Sequence, residues 1–407
     1  MLNLNKNNRQ VIILFGASVI GMLFGIVNSA INTHYLSPDQ YGNVRYVQNI
    51  INFISSLLLL GFFVSGSRLL ALSEEENQSR EIRGGMVFIL GITQMILMII
   101  MGSLALYSYH NHDTTMGILY IGAIPICGNV ILLNYINTTA QGDNHIIRIA
   151  LARILPPIIY LILAIVIFTK YGATSLLMLI LFNGSAIIIL SCIIISTYPK
   201  FKHLKNTLKA LSEENKKYGF HVYLGSLAGV STTYIAGITL GMFCGSNTNV
   251  GYFTLALSLA TPLSLLPAII GTSYFKNFAK QKQISRKIIN ASILLTVISF
   301  FIFVIGVKIL VKIVYPSEYS CVAMYAIWIA LGTSCHGFGD MINRFLGSHG
   351  QGKQIRNASY ACGLAILSGS IILVYYWGIN GAVITRIIGS LTYMCMMIIY
   401  YKKFTME

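Results

Sequence analysis

Long, uninterrupted apolar runs recur along the whole chain, and they constrain its fold more than any other feature. A helix needs about 20 apolar residues to cross the roughly 30 Å hydrocarbon core of a bilayer. Backbone polar groups in lipid must be satisfied internally, which leaves helices or closed barrels. The runs are continuous rather than alternating, so they predict helices. Because 55% of the residues are hydrophobic and 10% charged, we predict an all-α polytopic membrane protein.

The runs predict about twelve transmembrane helices. A nearly charge-free stretch, 219–275, is too long for one span, and the turn at 244–249 divides it. The predicted spans are 11–33, 41–70, 84–108, 115–139, 149–169, 175–198, 219–243, 250–275, 288–314, 319–346, 358–376 and 379–401.

The longest polar stretch divides the chain into two lobes of six spans, 1–198 and 219–407. Between them, residues 199–218 predict a cytoplasmic linker helix that lies on anionic headgroups. The lobes are weakly similar at an offset of 209 residues, which pairs Ser37 with Ser246 and Gly42 with Gly251. Six spans per lobe is an even number, so the lobes share one orientation, which predicts a parallel pseudo-two-fold.

The distribution of Lys and Arg predicts the orientation. One set of loops and termini carries twenty of them, and the alternate set carries only Lys170. By the positive-inside rule both termini are cytoplasmic. The net charge of +16 therefore reflects topology rather than nucleic-acid binding. The basic N-terminus lacks a small-residue cleavage site, so we predict a retained first span. The seven scattered Cys residues predict no metal site or disulfide, and we expect no cofactor.

The spans carry mostly cations, which have to be accounted for because a charge at the bilayer centre costs about 2.5–3.5 kcal/mol on insertion scales. Such residues line wet cavities or snorkel towards headgroups. We interpret Lys312, Arg68 and Arg344 near span ends as snorkelling. The candidates for binding an anionic substrate are Arg45, Arg386, Lys308 and Arg153.

Asp340 is the one carboxylate well inside a predicted span. Arg344 follows it by one helical turn, so an ion pair is one expectation and an ion-coupling site the other. The histidines His34 and His336 are further titratable groups, and we take Asp340 and His34 as candidates for ion coupling. No nucleotide-binding loop, Ser/His/Asp set or metal-ligand spacing is visible, so we do not expect an enzyme.

One segment carries a family resemblance. The sequence YLSPDQYGNVRYVQNIINFISSLLLLGFFVSGSRLLA, residues 35–71, resembles the start of O-antigen and polysaccharide flippases of the Wzx type. The shared features are Tyr-Leu at the end of the first span, Pro-x-x-Tyr-Gly entering the second, and Gly61 followed seven residues later by Arg68. These motifs mark the multidrug/oligosaccharidyl-lipid/polysaccharide exporter superfamily.

The resemblance implies a transporter with a central cavity between two lobes. Its substrate would be an undecaprenyl-diphosphate-linked oligosaccharide, moved from the cytoplasmic to the periplasmic leaflet, with a polysaccharide polymerase and a chain-length regulator as partners. Buried Arg and Lys suit a diphosphate. Two alternatives stay open. A multidrug/cation antiporter of the same superfamily is disfavoured by the scarcity of buried carboxylates, and a membrane polymerase by the very short outer loops.

Overall fold

The structure, a computed structural model, describes residues 6–406, except the side chains of 6–12, 225, 228, 230–232 and 276. All regular elements of this part are helical. The helices are α1 (Lys6–Tyr35), α2 (Pro38–Leu58), α3 (Phe62–Leu72), α4 (Glu76–His110), α5 (Thr114–Ala123), α6 (Asn129–Gly142), α7 (Ile146–Tyr171), α8 (Ser175–Ile195), α9 (Leu204–Glu214), α10 (Phe220–Phe243), α11 (Thr248–Ala260), α12 (Pro262–Ser273), α13 (Phe275–Phe278), α14 (Arg286–Val314), α15 (Val322–Ser348) and α16 (Gly352–Met406).

The predicted polytopic helical fold is confirmed. Within the described residues, nine helical segments are long and apolar enough to cross a membrane, and α2 with α3, bent by 55°, makes a tenth. The longest of the nine, α16, contains two predicted spans, because Gly378 (φ 52°, ψ −130°) interrupts it. The remaining predicted span corresponds to α10, which is 24 residues long.

Side-chain caps help to define where several spans begin. The carboxylate of Asp113 accepts a hydrogen bond from the Met116 amide at 3.0 Å, at the start of α5. The Thr174 hydroxyl accepts one from the Leu177 amide at 3.2 Å, at the start of α8. These side chains satisfy amides that have no partner inside their helix. Turns of a few residues can therefore join long helices without leaving their first amides unpaired.

Contacts divide the chain into two compact units. The first comprises Met1–Leu36 and Ile50–Leu227, and the second Ser37–Asn49 and Ala228–Glu407. The first turns of α2 thus pack with the second unit, although they precede most of the first in sequence. The predicted division into 1–198, 199–218 and 219–407 stays a prediction.

In the first unit, α1 packs along α7, and polar side chains join the two helices inside the apolar layer. The Asn28 amide donates to the carbonyl of Pro157 at 3.0 Å. The hydroxyl of buried Tyr160 donates to Asn32. In lipid, helices gain little from apolar contact alone, so such interhelical hydrogen bonds help to fix which faces meet.

A buried ion-pair network holds one end of the first unit. Arg83 has a side chain only 4% exposed, and its Nε donates to Asp143, 5% exposed, at 3.0 Å. Arg148 donates to the same carboxylate oxygen at 3.1 Å. The Arg83 Nη1 also reaches Glu76 at 3.1 Å and the carbonyl of Thr197 at 3.0 Å. The network connects α4 to the α6–α7 turn and to the residues after α8.

Asn215, near the C-terminal end of the first unit, forms hydrogen bonds at the break between α2 and α3. Gly61 has a left-handed backbone, with φ 83°, and lies against the backbone of Gly219. The side-chain amide of Asn215 donates to the carbonyl of Leu60 at 3.1 Å and accepts from the Ser65 hydroxyl at 3.1 Å. Broken helices in membrane proteins need such partners for the backbone groups that the break frees.

Arg68 also contacts this segment. Its Nη1 lies 2.5 Å from the carboxylate of Glu214, and its guanidinium lies over the ring of Tyr218. The side chain is 52% exposed, so the expected snorkelling position is accompanied by an ion pair. The predicted linker helix forms as α9, but its Leu211 is fully buried and packs near Gly85 of α4. The segment therefore packs into the first unit instead of resting on headgroups alone.

We expect Asn215→Leu to destabilise the protein by about 0.5–1.5 kcal/mol, because it removes the side-chain donor to the Leu60 carbonyl and leaves the Ser65 hydroxyl only its bond to the Gly61 carbonyl. Thermal unfolding of the purified protein in detergent measures the change. Asn206→Leu on exposed α9 surface is the matched control, since it makes the same substitution without removing this contact. Equal unfolding temperatures for the two variants would show that the break does not depend on Asn215.

In the second unit, α15 occupies the central position. It packs against α11, α12, α14 and α16, whereas α14 has few buried residues. An apolar core forms towards the end of α15, where Phe278, Met341, Phe345 and Met397 are fully buried. This arrangement positions the polar residues of α15 against α16, while one face of α14 stays exposed.

Candidate functional site

The site begins at the start of α2, where the chain folds as a capping box. The Ser37 hydroxyl accepts from the Gln40 amide at 3.3 Å, and the Gln40 side chain accepts from the Ser37 amide at 3.2 Å. Pro38 occupies the first helical position, which suits a residue without an amide hydrogen. The Ser-Pro-Asp segment therefore starts a helix.

Asp39 and Asn43 join this helix start to the turn between α10 and α11. The Ser246 hydroxyl donates to Asp39 at 3.0 Å, and Asn247 donates to the side-chain oxygen of Asn43 at 2.8 Å. The Asp39 carboxylate therefore contacts both its own helix, at Asn43, and a residue 207 positions later in the sequence.

Gly42 and Gly251, paired by the 209-residue offset, lie against each other. A Cβ atom built on Gly251 would lie 3.2 Å from the backbone of Gly42. One built on Gly42 would overlap the carbonyl of Asn247. The 209-residue offset in the sequence thus pairs two glycines that lie in contact in the structure.

Two glycines of α10 provide further room for α2. Gly237 and Gly241 form a G-x-x-x-G motif, which allows helices in membranes to approach closely. The side chain of Asn49 lies over Gly237, and the ring of Tyr46 lies over Gly241. The sequence reasoning missed this motif, although its spacing was visible. It explains why the first turns of α2 pack with the second unit.

We expect Gly42→Ala to lower the free energy of unfolding by about 1–3 kcal/mol, because the new methyl group overlaps backbone that cannot rotate away. The measurement is the thermal unfolding temperature of the purified protein. Gly306→Ala on α14 is the control, since a Cβ there meets no atom within 4 Å. If both variants unfold at the same temperature, the close contact at Gly42 does not contribute to stability.

Arg45 lies one turn further along α2, and its side chain is partly buried. Its Nη1 donates to the side-chain oxygen of Gln48 at 2.9 Å. The guanidinium also lies 4.9 Å from the centre of the Tyr41 ring, which is itself buried. These contacts orient a planar cation on a rigid helix, as binding of a phosphate or carboxylate requires.

A second polar cluster forms where α15 meets the last part of α16. The hydroxyl of Tyr393 donates to Asp340 at 2.9 Å and accepts from the Asn343 amide at 2.8 Å. The ring of His336 stacks on Tyr393, with ring centres 4.4 Å apart. We call Asp340, Asn343, His336, Tyr393 and Arg386 the C-terminal polar cluster.

Arg386 completes this cluster. It lies within electrostatic range of Asp340 and His336, and its side chain is partly buried. In the described part of the chain, no hydrogen-bond partner is present for its Nε. Two predicted residues, Arg386 and Asp340, are therefore brought into one environment.

The expected Asp340–Arg344 ion pair is absent from the described residues, and this prediction was wrong. Asp340 turns towards α16 and accepts from Tyr393. Arg344 is exposed, and its aliphatic stem lies against Gly271 of α12. A separation of one helical turn permits an Asp340–Arg344 ion pair. Because α15 packs between α12 and α16, however, Asp340 contacts α16 and Arg344 contacts α12.

The other candidate residues lie apart from this cluster. Arg153 belongs to the first unit and donates to the Ser18 hydroxyl of α1 at 2.6 Å. His34, also in the first unit, is exposed and contacts the carbonyl of Ala30 in its own helix at 2.9 Å. Lys308 is exposed on α14, beside Lys312 in an apolar cleft. Their roles stay predictions.

The second unit thus contains two partly buried arginines, Arg45 and Arg386, and a carboxylate, Asp340, that already has a hydrogen-bond partner. Such a site suits an anion more than a cationic ligand. Tyr393 and Asn343 were missed in the sequence, because a lone Tyr or Asn in an apolar run gives no signal. Among the described residues, no three His, Cys, Asp or Glu side chains are grouped so as to hold a metal ion.

Comparison with known proteins supports this fold. The sequence profile of the family described as "Polysaccharide biosynthesis protein" matches residues 8–275, about two thirds of the chain. No curated protein matches the chain in sequence.

Three solved structures are similar in fold. The lipid II flippase MurJ in an inward closed conformation is 15% identical, with a TM-score of 0.72 over 97% of this chain and 89% of that one. An inward-facing multidrug resistance MATE family transporter of the MOP superfamily is 14% identical, with a TM-score of 0.70 over 97% and 98%. A MOP superfamily transporter from Pyrococcus furiosus is 14% identical, with a TM-score of 0.51 over 97% and 96%.

At such low identities these similarities concern the fold, which is that of the MOP transporters and flippases. The apolar helices make the chain a multi-pass membrane protein. With the profile match over most of its length, the chain belongs to the polysaccharide biosynthesis protein family.

Proposed function

We propose that this chain is a flippase for lipid-linked oligosaccharides. It moves undecaprenyl-diphosphate-linked O-antigen or polysaccharide repeat units from the cytoplasmic to the periplasmic leaflet by alternating access. It resides in the bacterial inner membrane with both termini in the cytoplasm, as the Lys and Arg distribution predicts. A polysaccharide polymerase and a chain-length regulator are the proposed partners in lipopolysaccharide or related glycan synthesis.

The observation that carries this proposal is the sign of the charges within the spans. Arg45, Arg386 and Arg153 are cations on membrane helices, and the one carboxylate well inside a predicted span is Asp340. A transporter of cationic drugs requires carboxylates facing its substrate, whereas a diphosphate requires cations. Within a family of polysaccharide biosynthesis proteins, this balance favours a lipid diphosphate.

The geometry suggests different roles for the arginines. Arg386 belongs to a polar cluster, its Nε has no hydrogen-bond partner among the described residues, and its charge would attract a phosphate oxygen or an acidic sugar. Arg45 is oriented by Gln48 and Tyr41 and would place its positive charge beside the same kind of group. Arg153, held by Ser18, is a further candidate from the first unit.

Coupling to an ion gradient is assigned to Asp340 and His34. Asp340 is the stronger candidate, because Tyr393 and Asn343 form a continuous hydrogen-bonded chain with it. His34 is exposed near the end of α1 and bonds within its own helix. A carboxylate beside Arg386 allows protonation of Asp340 to alter how strongly the cluster attracts an anion.

Deletion of the gene in its host, with complementation, tests the proposal. Surface polysaccharide is followed on gels, and lipid-linked repeat units are extracted from the cells. The proposal predicts loss of surface glycan and accumulation of repeat units facing the cytoplasm. Unchanged glycan with altered drug susceptibility would identify a cation antiporter. Formation of glycan bonds by the purified protein would identify a polymerase.

A further inference from the structure

An apolar cleft of about 780 Å³ lies between α14 and α15, near the end of α14. Lys308, Lys312 and Tyr315 line it from the α14 side, and Met324 and Trp328 from α15. The Lys and Arg distribution places this end on the periplasmic side. The cleft is separate from the C-terminal polar cluster, none of whose residues lines it.

The walls of the cleft face the surroundings of the protein. On α14 the buried residues are confined to Ser292, Val307 and Val311, so most of the helix is open to lipid. Met324 is 65% exposed and Trp328 49% exposed. An apolar surface of this kind in a membrane is filled by a hydrocarbon chain.

Two lysines that line this cleft form no ion pair with any described residue. Lys308 and Lys312 are one helical turn apart, so their side chains lie on the same face of α14. Both are exposed, and in the described part of the chain no carboxylate lies within 4.0 Å of either ammonium. A cation within a span needs an anionic neighbour or a path to the headgroups. Here the neighbouring molecule is lipid.

A second apolar cleft, of about 610 Å³, adjoins the first. It lies between α15 and α16, with Tyr325 and Asn380 among its lining residues. Met324 and Trp328 line both clefts and therefore form the ridge between them. Two adjoining apolar clefts, one of them lined by a pair of lysines, match a lipid that has two chains and one anionic headgroup.

We propose that this surface binds an anionic phospholipid. Lys308 and Lys312 hold its phosphate, and the two acyl chains lie on either side of the Met324–Trp328 ridge. A polyprenyl diphosphate has a single chain and would leave one cleft empty, so the paired clefts favour the phospholipid. This inference does not depend on the proposed transport function.

Fluorescence of Trp328 tests the assignment. The chain has two tryptophans, so Trp377→Phe leaves Trp328 as the only one. The purified Trp377→Phe protein is placed in neutral vesicles that contain increasing fractions of phosphatidylglycerol or phosphatidylcholine with brominated chains, which quench tryptophan on contact. We expect brominated phosphatidylglycerol to quench Trp328 at a mole fraction about twenty- to thirty-fold lower than brominated phosphatidylcholine does. Each lysine near a membrane surface contributes roughly a five-fold preference for the anionic lipid.

The lysine variants provide the controls. Lys308→Gln with Lys312→Gln is expected to remove the preference while phosphatidylcholine still quenches, which shows that the clefts remain folded. Lys170→Gln, the matched control at the end of α7, is expected to keep the full preference. Equal quenching by both lipids in the Trp377→Phe protein would overturn the proposal.

Two competing lipids test whether both acyl chains of the phospholipid are bound. A single-chain phosphatidylglycerol is expected to compete at least ten-fold more weakly than the diacyl lipid, because it fills one cleft; equal competition would overturn the two-cleft arrangement. Displacement of the brominated lipid by an equimolar amount of polyprenyl diphosphate would assign the surface to the transported lipid instead.

Discussion

Arg45→Ala and Arg386→Ala are each expected to reduce glycan export about ten- to hundred-fold in the complemented deletion strain. A hydrogen bond to a charged group is worth roughly 1.5–3 kcal/mol, and under the proposed function each variant would remove such bonds to the lipid diphosphate. Export is measured as surface polysaccharide on gels, normalised to the amount of transporter in the membrane. Lipid-linked repeat units are expected to accumulate in the same cells.

Substitutions of the same type separate binding from folding. Arg356 lies on the same helix as Arg386, near the exposed start of α16, and the Arg356→Ala variant is expected to export glycan normally. Arg386→Lys keeps the charge but loses the planar fork, so an intermediate loss is expected. Normal export by both alanine variants would show that these arginines do not bind the substrate. Loss of the proteins from the membrane would assign the arginines to folding.

The sequence predicted the architecture well, because membrane helices depend on local composition. Twelve apolar runs correspond to the observed helices, and the residues around Gly61 and Arg68 identified the superfamily. The offset that pairs Gly42 with Gly251 indicated an internal repeat, and in the structure these two glycines lie in contact. These features follow from the period and length of local segments, which a single sequence displays directly.

Side-chain partners across helices could not be predicted in the same way. Asp340 has Arg344 one turn away, yet it bonds to Tyr393, 53 residues later. In the sequence Asn215 belongs to a charged linker, yet its side chain donates a hydrogen bond to the Leu60 carbonyl at the break between α2 and α3. In each case the deciding partner comes from another helix, and the packing angle that brings it close is not encoded in the spacing of either segment. For the same reason, the substrate roles of Arg45 and Arg386 remain to be measured.

Asp143 illustrates this limit and leads to the largest expected effect on stability. In the sequence it is one acid in a short polar loop; in the structure it is 5% exposed and contacts both Arg83 and Arg148. Removing one member of a buried ion pair costs about 3–5 kcal/mol, and here the Arg83 charge stays buried with only the exposed Glu76 and the Thr197 carbonyl beside it. We therefore expect Asp143→Ala to lower the free energy of unfolding by that amount, measured by thermal unfolding in detergent.

The second carboxylate of the same arginine is the internal control. Glu76 also contacts Arg83, but it is 73% exposed, so Glu76→Gln is expected to cost less than about 1 kcal/mol. The double variant Arg83→Met with Asp143→Leu removes both buried charges and is expected to recover much of the loss, since apolar replacements of a buried pair are often neutral or stabilising. If Asp143→Ala and Glu76→Gln unfold at the same temperature, the burial of the pair contributes nothing. If the double variant is less stable than Asp143→Ala, the guanidinium itself holds α4 to Thr197, independently of its carboxylate.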